Sequence, residues 1–456
     1  MPYTFNTPED VQEMLQAIGA SSIDELFQQI PDPFRMKRPL KIGPALGELE
    51  LTQHMTRLSA KNSHAGLKVC FLGGGCYDHF IPAAVDALAS RGEFYTSYTP
   101  YQPEVSQGNL QAIFEYQSMI CQITGMDVSN ASLYDGGSAT VEAVLMSIAA
   151  TNRHGKVVVC QTVHPEYRQV VDTYLENFET EIVTIRHDDG TTDLGQLENA
   201  VDDKTACVVI QHPNFFGCVE QVAAVAAIAH RHGALLVQAF DPTSLGILKN
   251  PGELGADIAI AEGQCLGNPM AYGGPYLGIL AAREKFIRRM PGRIAGQTVG
   301  DGGKRCWVLT MQTREQHIRR DKATSNICTN QGLFALRASI YLALMGPSGM
   351  QRLSELCLRK SNYAANQLTA NTRFERAFEA PIFKEFVVRD RDGKVGPLLR
   401  QCEDAGFFAG IALERWYPEL ADCFLIAVTE KRTRAEIDSL VSTLVGTSSK
   451  VEKVHA

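Results

Sequence analysis

Between residues 66 and 310, short apolar runs alternate with stretches of helical length, and this pattern limits the chain to few folds. Runs that are apolar along their whole length are typical of strands buried on both faces, which occur in parallel sheets covered by helices. The predicted strands are residues 156–160, 181–185, 206–211, 234–240, 258–262 and 276–282. The last run follows the fifth closely, so an antiparallel neighbour fits there. We therefore predict an α/β fold with a large, mostly parallel sheet.

The segments on either side of this region have other patterns. N-cap signatures at Thr7 and Ser22 predict two short helices, and the mixed, proline-containing residues after them suggest an arm. After residue 330 a long apolar helix precedes two short strands and a capping box that begins at Thr433. The expected units are an N-terminal arm (1–65), a large sheet domain (66–330) and a small C-terminal α/β domain (331–456), with the late strands at 383–388 and 423–428.

Length and charge narrow the class of protein. A chain of 456 residues exceeds what one hydrophobic core usually supports, and a formal net charge of −8 argues against nucleic acid or membrane as the main partner. The start of the chain lacks a secretory or transit pattern, and no apolar run has the length of a membrane span. The twelve cysteines include no C-x-x-C pair. We therefore expect free thiols, no metal site and a cytoplasmic location.

Polar residues follow several predicted strands, at the edge where open parallel sheets bind ligands. The Gly/Ser-rich residues 136–140 open a predicted helix and form either an anion site or an ordinary cap. Asp241, after the strand at 234–240, suits a pyridinium or metal ligand, or caps the next turn. His164 and residues 211–217 follow two further strands. Four such stretches at successive strand ends predict a shared binding site.

Two more stretches lie outside the strand pattern. Residues 95–104 hold three tyrosines and two prolines with no aliphatic residue, which suits the wall of a pocket or an interface. A rigid surface loop is the alternative. Residues 313–329 are strongly basic and near their end hold the uncharged Thr324, Ser325 and Asn326. This run is either a solvated helix face or a turn directed at a ligand or a neighbouring chain.

Five segments together carry a resemblance to a known family. They are GGGCYDHFIP (73–82), EFYTSYTPYQPEVSQG (93–108), ITGMDVSNASLYDGGSAT (123–140), QHPNFFG (211–217) and REQHIRRDKATSNICTNQ (314–331). These segments resemble glycine dehydrogenase (decarboxylating), the P protein of the glycine cleavage system. The likeness runs nearly end to end. The length is similar to that of the N-terminal half, which in many prokaryotes is a separate subunit.

The resemblance implies the fold type I architecture of enzymes that depend on pyridoxal phosphate (PLP). In that fold a Gly/Ser-rich helix start binds the phosphate, an aspartate at a strand end binds the pyridine nitrogen, and a lysine after the next strand forms the Schiff base. On this chain Gly136, Gly137 and Ser138 take the phosphate position. Asp241 takes the pyridine position, and His164 belongs to the same predicted pocket.

The Schiff-base position departs from the family pattern. It lies just past the fifth predicted strand, where Gly263-Gln264 replaces an expected His-Lys pair. An amide nitrogen has no nucleophilic lone pair, so Gln264 cannot form an imine. Lys249 and Lys304 are poor replacements, because one follows the pyridine-binding aspartate too soon and the other lies beyond the sheet. A buried, inert thiol is expected for Cys265, since no flanking cation is evident to lower its pKa.

The resemblance thus predicts a subunit that is inactive alone and contributes to the site of a partner. A C-terminal-type subunit would hold PLP. The two subunits would form a heterodimer, or two heterodimers would join into a heterotetramer. The complex would decarboxylate glycine and pass the aminomethyl group to the lipoyl arm of H protein. The residues expected to line the partner's site or reach its cofactor are Tyr95, Tyr98, Tyr101, Gln102 and Glu104, with Thr324, Ser325 and Asn326. Two alternatives stay open: an independent PLP enzyme with a displaced lysine, and a scaffold paralogue that touches no substrate.

Overall fold

The computed structural model describes residues 5–274 and 276–446, which fall into two units, Met1–Ser63 and His64–Ala456. In the first unit, helix Pro8–Ile18 begins with the predicted N-cap: the Thr7 hydroxyl accepts a hydrogen bond from the Asp10 N–H at 3.1 Å. The other helices of this unit are the 3₁₀ turns Ile23–Phe27 and Asp32–Phe34 and the α-helix Glu48–Ser59. Among its described residues Leu15 alone is buried, so these helices have no core of their own.

The second unit is built around a seven-stranded central sheet. In spatial order its strands are Val128–Ser129, Gly278–Ala282, Ile258–Glu262, Leu235–Phe240, Thr205–His212, Lys156–Cys160 and Glu181–Ile185. The last five in this order run parallel, and Gly278–Ala282 is antiparallel to both of its neighbours. The mostly parallel sheet and its antiparallel strand are as the apolar runs predict.

Helices cover both faces of this sheet, which is why its central strands have no exposed polar face. All six residues of Leu235–Phe240 are buried. Helix Gly136–Thr151 is apolar around most of its circumference and packs into the same core. The remaining helices up to residue 325 are Ala83–Ala89, Gly92–Tyr95, Gln107–Thr124, Pro165–Leu175, Leu194–Ala200, Val222–Arg231 and Gln316–Arg319, with 3₁₀ turns Pro242–Gly246, Glu284–Arg289, Asp301–Gly303, Gln312–Arg314 and Arg320–Lys322.

A second, antiparallel sheet follows late in the chain. Its strand order is Phe374–Arg376, Glu385–Asp390, Cys423–Ala427 and Ile411–Ala412. It contains the two strands predicted near 383–388 and 423–428. Helices Val395–Asp404 and Arg434–Val445 pack on it, the second beginning at the predicted Thr433 capping box, and the 3₁₀ turn Pro418–Leu420 precedes the strand Cys423–Ala427. Three two-stranded ladders complete the unit: Val69–Cys70 with Phe407–Phe408, His187–Asp188 with Thr191–Thr192, and Ile294–Val299 with Arg305–Thr310. The domain boundary at 330/331 stays a prediction.

The long helix Gly332–Thr369 contributes to the cores of both sheets. Gly346, with φ 58°, breaks it directly before Pro347, because proline cannot continue the helical hydrogen bonds. Within the described chain this one helix is long and apolar enough to cross a membrane by length and composition alone. Its buried face, which includes Ala338, Tyr341 and Leu353, is part of the protein interior.

Candidate active site

The carboxyl ends of the central strands surround a small cavity, which we call the strand-end cavity. Its walls include the predicted Asp241 and His164, together with Lys384, Glu262 and Tyr77. The cavity volume is about 30 Å³. That is room for a water molecule or two.

Asp241 forms a buried ion pair in this cavity. Its Oδ2 lies 2.7 Å from the Nζ of Lys384, whose side chain is 1% exposed, and its Oδ1 accepts hydrogen bonds from the N–H and hydroxyl of Thr243. Lys384 also donates to the Thr243 hydroxyl and lies 3.4 Å from the centre of the Tyr77 ring. Burial, the largest single influence, lowers the pKa of Lys384, but the charge and hydrogen bond of Asp241, together with Cys265 and Cys357, outweigh it and the pKa is raised. Lys384 is therefore a cation held by Asp241 and not a free amine.

The predicted phosphate position, at the start of helix Gly136–Thr151, is occupied by a carboxyl group. The Oε2 of Glu262 accepts a hydrogen bond from the Gly136 N–H at 3.0 Å. Its Oε1 accepts from the N–H groups of Gln264 and Leu277, each at 2.9 Å. Desolvation raises the pKa of Glu262 to about 8, and the three backbone donors oppose that rise. A side chain of this chain thus takes the first amide of the helix start, one of the donors that a phosphate would use.

Gln264, at the predicted Schiff-base position, is a buried structural residue. It is 2% exposed. Its Oε1 accepts from the Tyr77 N–H at 2.9 Å, and its Nε2 donates to the carbonyls of Tyr77 at 3.1 Å and Asn268 at 2.8 Å. Cys265 is also buried, and burial raises the pKa of its thiol well above the usual value. The loop after Ile258–Glu262 therefore joins chain segments and presents no reactive group.

Two stacked rings fill the space beside the helix start. His164 lies against Tyr167 with ring centroids 4.5 Å apart. Its Nε2 donates to the Gly74 carbonyl at 2.7 Å while its Nδ1 accepts from the Glu166 N–H, so the imidazole is neutral, and burial lowers its pKa. A Cβ at Gly136 would lie 2.2 Å from the Tyr167 hydroxyl, so only glycine fits there.

These contacts leave no place for PLP in the strand-end cavity. Lys384 forms an ion pair with Asp241, the aspartate at the pyridine position, and Glu262 accepts a hydrogen bond from the first amide of the phosphate helix. In the same turn, which also holds Gly137, the Ser138 N–H donates to the N-cap Asp135. Pockets that hold ligands of this kind usually measure roughly 300–1,000 Å³. The chain's own charged side chains therefore close the pocket that the resemblance implies.

One group of side chains near this cavity has the donor types of a metal site. Ligand atoms of His79, Cys357 and Glu430 lie within 4.8 Å of one another. The His79 Nδ1 is 2.6 Å from the Glu430 carboxylate, and its Nε2 is 3.3 Å from the ammonium of Lys384. A fixed cation, itself paired with Asp241, thus lies beside the group. The expectation of no metal site stays a prediction.

The predicted tyrosine loop lies on the surface and does not line the strand-end cavity. Tyr95, Tyr98 and Tyr101 are 68%, 88% and 55% exposed, and Gln102 and Glu104 are exposed as well. Tyr95 and Tyr98 line a different cavity of about 130 Å³, which we call the loop cavity. Exposed aromatic area of this extent is typical of an interaction surface.

The predicted Thr324–Asn326 turn forms part of a third cavity. Thr324 and Ser325 line it, while Asn326 is exposed. The Ser325 hydroxyl lies close enough to the buried Glu142 to lower the pKa of that carboxyl, although burial raises it overall. None of the three residues lines the strand-end cavity or the loop cavity, so the structure does not bring them together with Asp241 or with the tyrosines.

The residues that close the strand-end cavity were not predicted from the sequence. Glu262 carried a visible signal, because it ends an otherwise apolar strand directly before the Gly263-Gln264 position. Lys384 carried a weaker one, a charge at the start of a buried strand. The candidates Lys249 and Lys304 are exposed and lie outside the cavity walls.

The Lys384→Met substitution tests the ion pair. Removing the ammonium leaves the Asp241 carboxylate buried without a counter-ion, so we expect the free energy of unfolding to fall by roughly 3–5 kcal/mol. Chemical denaturation measures this free energy of unfolding in the wild type and the variant. The double variant K384M/D241N should recover much of the loss, because it removes both charges.

Lys285→Met is the matched control for that experiment. Lys285 is 65% exposed and lies 3.4 Å from Asp257, which keeps hydrogen bonds from His230 and the Leu236 N–H. A loss below about 1 kcal/mol is expected for such a pair. Equal losses in K384M and K285M would show that the buried pair is unimportant.

The pH dependence of stability tests the carboxyl groups with raised pKa values. Burial raises the pKa of Glu142 and of Glu385 to about 7, and that of Glu262 to about 8. The native state therefore holds more protons than the unfolded state, whose glutamates titrate near 4.3, and the free energy of unfolding falls as pH rises. From pH 6.5 to 8 we expect these three groups to lower it by roughly 3 kcal/mol.

Glu142→Gln provides the control for this titration. The amide keeps an acceptor for Ser325 and removes one ionising group, so the fall over the same pH range should shrink by roughly 0.8 kcal/mol. Denaturation curves at several pH values measure both slopes. Stability that rises with pH in this window would contradict the raised pKa values.

Comparison with known sequences places these features in a family. The model of the glycine cleavage system P-protein family matches residues 2–444. A probable glycine dehydrogenase (decarboxylating) subunit 1 of Carboxydothermus hydrogenoformans is 52% identical, over 98% of this chain and 100% of that protein. Proteins of the same description from Desulforamulus reducens and Moorella thermoacetica are 50% and 48% identical, each over 97–98% of this chain and 99% of the relative.

Comparison with solved structures agrees. An inhibitor-bound glycine decarboxylase (P-protein) of the glycine cleavage system superposes with a TM-score of 0.89 at 40% identity, over 98% of this chain and 100% of that one. A sphingosine-1-phosphate lyase of Burkholderia pseudomallei, at TM-score 0.65 and 14% identity over 90% of this chain and 92% of that one, shares the fold alone. The predicted fold type I architecture is thus confirmed. The chain belongs to the glycine cleavage system P-protein family, with the length and likeness of subunit 1 of glycine dehydrogenase (decarboxylating).

Proposed function

We propose that this chain completes an active glycine dehydrogenase only with a second, C-terminal-type subunit. In this proposal the partner holds PLP, and the complex decarboxylates glycine and passes the aminomethyl group to the lipoyl arm of H protein. The assembly is a heterodimer, or two heterodimers joined, in the cytoplasm. PLP supplies the electron sink for decarboxylation, and this chain contributes walls and interface to the partner's site.

The observation that carries the proposal is the closed strand-end cavity. Gln264 stands at the Schiff-base position with its amide fully engaged by backbone groups. Lys384 neutralises Asp241, and Glu262 holds the helix amide at the phosphate position. Each feature that fold type I enzymes use to hold PLP is therefore engaged within the chain itself, which supports a cofactor in the partner.

The surface of the chain supports a partner as well. The tyrosine loop exposes three aromatic side chains. In the N-terminal unit, Phe5, Phe34 and Ile42 are 84%, 80% and 78% exposed. Monomeric proteins rarely leave apolar area of this extent in water, and tyrosines are enriched in interfaces. The twelve cysteines are all free thiols, which supports the cytoplasmic location.

One observation favours the alternative of an independent PLP enzyme. Lys384 does reach the strand-end cavity, although neither Lys249 nor Lys304 does. However, its raised pKa keeps the amine protonated, and it contacts the aspartate of the pyridine position instead of the loop after Ile258–Glu262. A protonated amine is not a nucleophile. We therefore place this alternative second, and the scaffold alternative third.

Reconstitution tests the proposal. The purified chain mixed with PLP should show no imine absorbance in the visible range and no glycine–bicarbonate exchange. Addition of a C-terminal-type subunit should restore both, because the partner brings the Schiff-base lysine.

Borohydride reduction followed by peptide mapping separates the alternatives. We expect the pyridoxyl group on the partner alone. A pyridoxyl-lysine at position 384, or exchange by the chain without its partner, would favour the independent enzyme.

Substitutions in the tyrosine loop test whether this chain contributes to catalysis. Tyr98→Ala and Tyr101→Ala should lower the turnover of the reconstituted complex about tenfold or more, because each removes a large rigid wall from the shared site. Assembly, measured by analytical ultracentrifugation, should persist.

Tyr363→Phe is the matched control for the loop variants. Tyr363 hydrogen-bonds Asp438 in the C-terminal helices and lies outside the loop. The Tyr363→Phe variant should leave the turnover of the reconstituted complex unchanged. Wild-type turnover in both loop variants would instead support a scaffold that touches no substrate.

A further inference from the structure

Arg293 is a buried cation with no acidic partner within 4 Å among residues 5–274 and 276–446. It is 3% exposed. Its Nη1 donates to the side chains of Thr329 and Asn330 at 3.1 and 3.2 Å, and its Nη2 to the Cys328 carbonyl at 2.9 Å and, more weakly, to the Tyr101 hydroxyl at 3.4 Å. Its Nε–H has no hydrogen-bond partner. Proteins rarely bury arginine without an anion beside it. Here the neighbours are neutral acceptors and the Tyr101 ring, whose centre lies 5.5 Å from the guanidinium carbon, so the charge lacks a counter-ion among the described residues.

The arginine forms part of the wall of the loop cavity. Tyr95, Tyr98 and Asn109 line the same space, and no lining residue is acidic. The volume of about 130 Å³ is several times that of the strand-end cavity. The loop cavity therefore offers room and positive charge together, and the chain does not supply the negative charge.

The amino end of the long helix Gly332–Thr369 opens on the same cavity. Gly332 and Leu333 line the cavity wall. The N-cap residue, Gln331, makes no side-chain hydrogen bond to the first turn. Uncapped N–H groups at the start of a helix carry partial positive charge and bind anions. Two independent sources of positive potential, the helix start and the arginine that lacks a counter-ion, thus meet at one cavity.

We propose that the loop cavity is a binding site for a small carboxylate. One unpaired guanidinium matches one negative charge, and the two oxygens of a carboxylate can take one donor from the arginine and one from the helix end. A phosphate dianion would leave a charge unbalanced. If the chain acts as proposed above, the carboxylate is that of glycine, and Arg293 positions the substrate against the partner's cofactor. A carboxylate side chain of the partner subunit is the other source of the same chemistry.

Calorimetric titration of the full chain tests the site directly. Acetate and glycine should bind saturably, and Arg293→Gln should weaken binding about tenfold or more, as expected for loss of a charge-assisted hydrogen bond. Because Arg293 also orders residues 328–330, a second variant, Ala112→Leu, fills the cavity and leaves the arginine in place. Ala112 lines the cavity from helix Gln107–Thr124. The Ala112→Leu variant should therefore bind neither acetate nor glycine. Arg305 is exposed and lies outside the cavity, so the Arg305→Gln variant should bind both as the wild type does.

The reconstituted complex then distinguishes the two sources. Arg293→Lys keeps a charge with altered geometry, so a glycine site predicts a KM for glycine raised about tenfold with little change in kcat. A partner carboxylate in the cavity predicts instead that acetate no longer binds after assembly and that the KM is unchanged. No saturable binding of acetate or glycine by the wild-type chain, binding of inorganic phosphate alone, or wild-type binding by Arg293→Gln would each overturn the proposal. A complex without glycine turnover would refute the proposed function and leave acetate binding by the chain intact.

Discussion

The ion pair between Lys384 and Asp241 connects the two sheets at the point where a cofactor site would otherwise lie. Asp241 follows the central strand Leu235–Phe240, and Lys384 directly precedes the strand Glu385–Asp390 of the second sheet. Both groups are almost fully removed from water, so each needs the other. Glu385 continues the connection, because its carboxyl group accepts hydrogen bonds from the Gly74 N–H and the Tyr77 hydroxyl. Other proteins of this fold bind a cofactor in the corresponding pocket. In this chain the same region is part of the protein interior.

The fold was predictable because burial leaves a direct trace in the sequence. The strand Leu235–Phe240 is apolar because both of its faces are covered, and the same holds for its parallel neighbours. The helix starts at Thr7 and Thr433 were predictable because capping is a local interaction between residues three apart. The 3₁₀ form of Ile23–Phe27 was not predictable, because so short a sequence does not distinguish a 3₁₀ helix from an α-helix.

The site was predictable only in part. Residues placed by a local motif could be identified, whereas contacts between residues far apart in the sequence could not. Gln264 was identifiable because a motif fixes its place along the chain. The partner of Asp241 was not, since Lys384 lies on another sheet and only tertiary packing brings the two together. The same holds for Arg293, whose significance depends on the absence of a nearby acid and on a helix that starts beyond residue 331. Patterns along a chain indicate which residues are unusual, and packing decides what they meet.

The hydrogen bonds of Glu262 have a consequence for how such a chain can change over evolutionary time. Once a carboxyl group has replaced the phosphate and an ammonium has replaced the pyridine nitrogen, a lysine restored at position 264 finds no cofactor to react with. It would also place a second amine beside Tyr77, over which Lys384 already lies. Building a cofactor site here would require changes at Lys384 and Glu262 as well, and removing either side chain alone breaks buried contacts. A single substitution at position 264 would therefore not be enough to build a cofactor site in this chain.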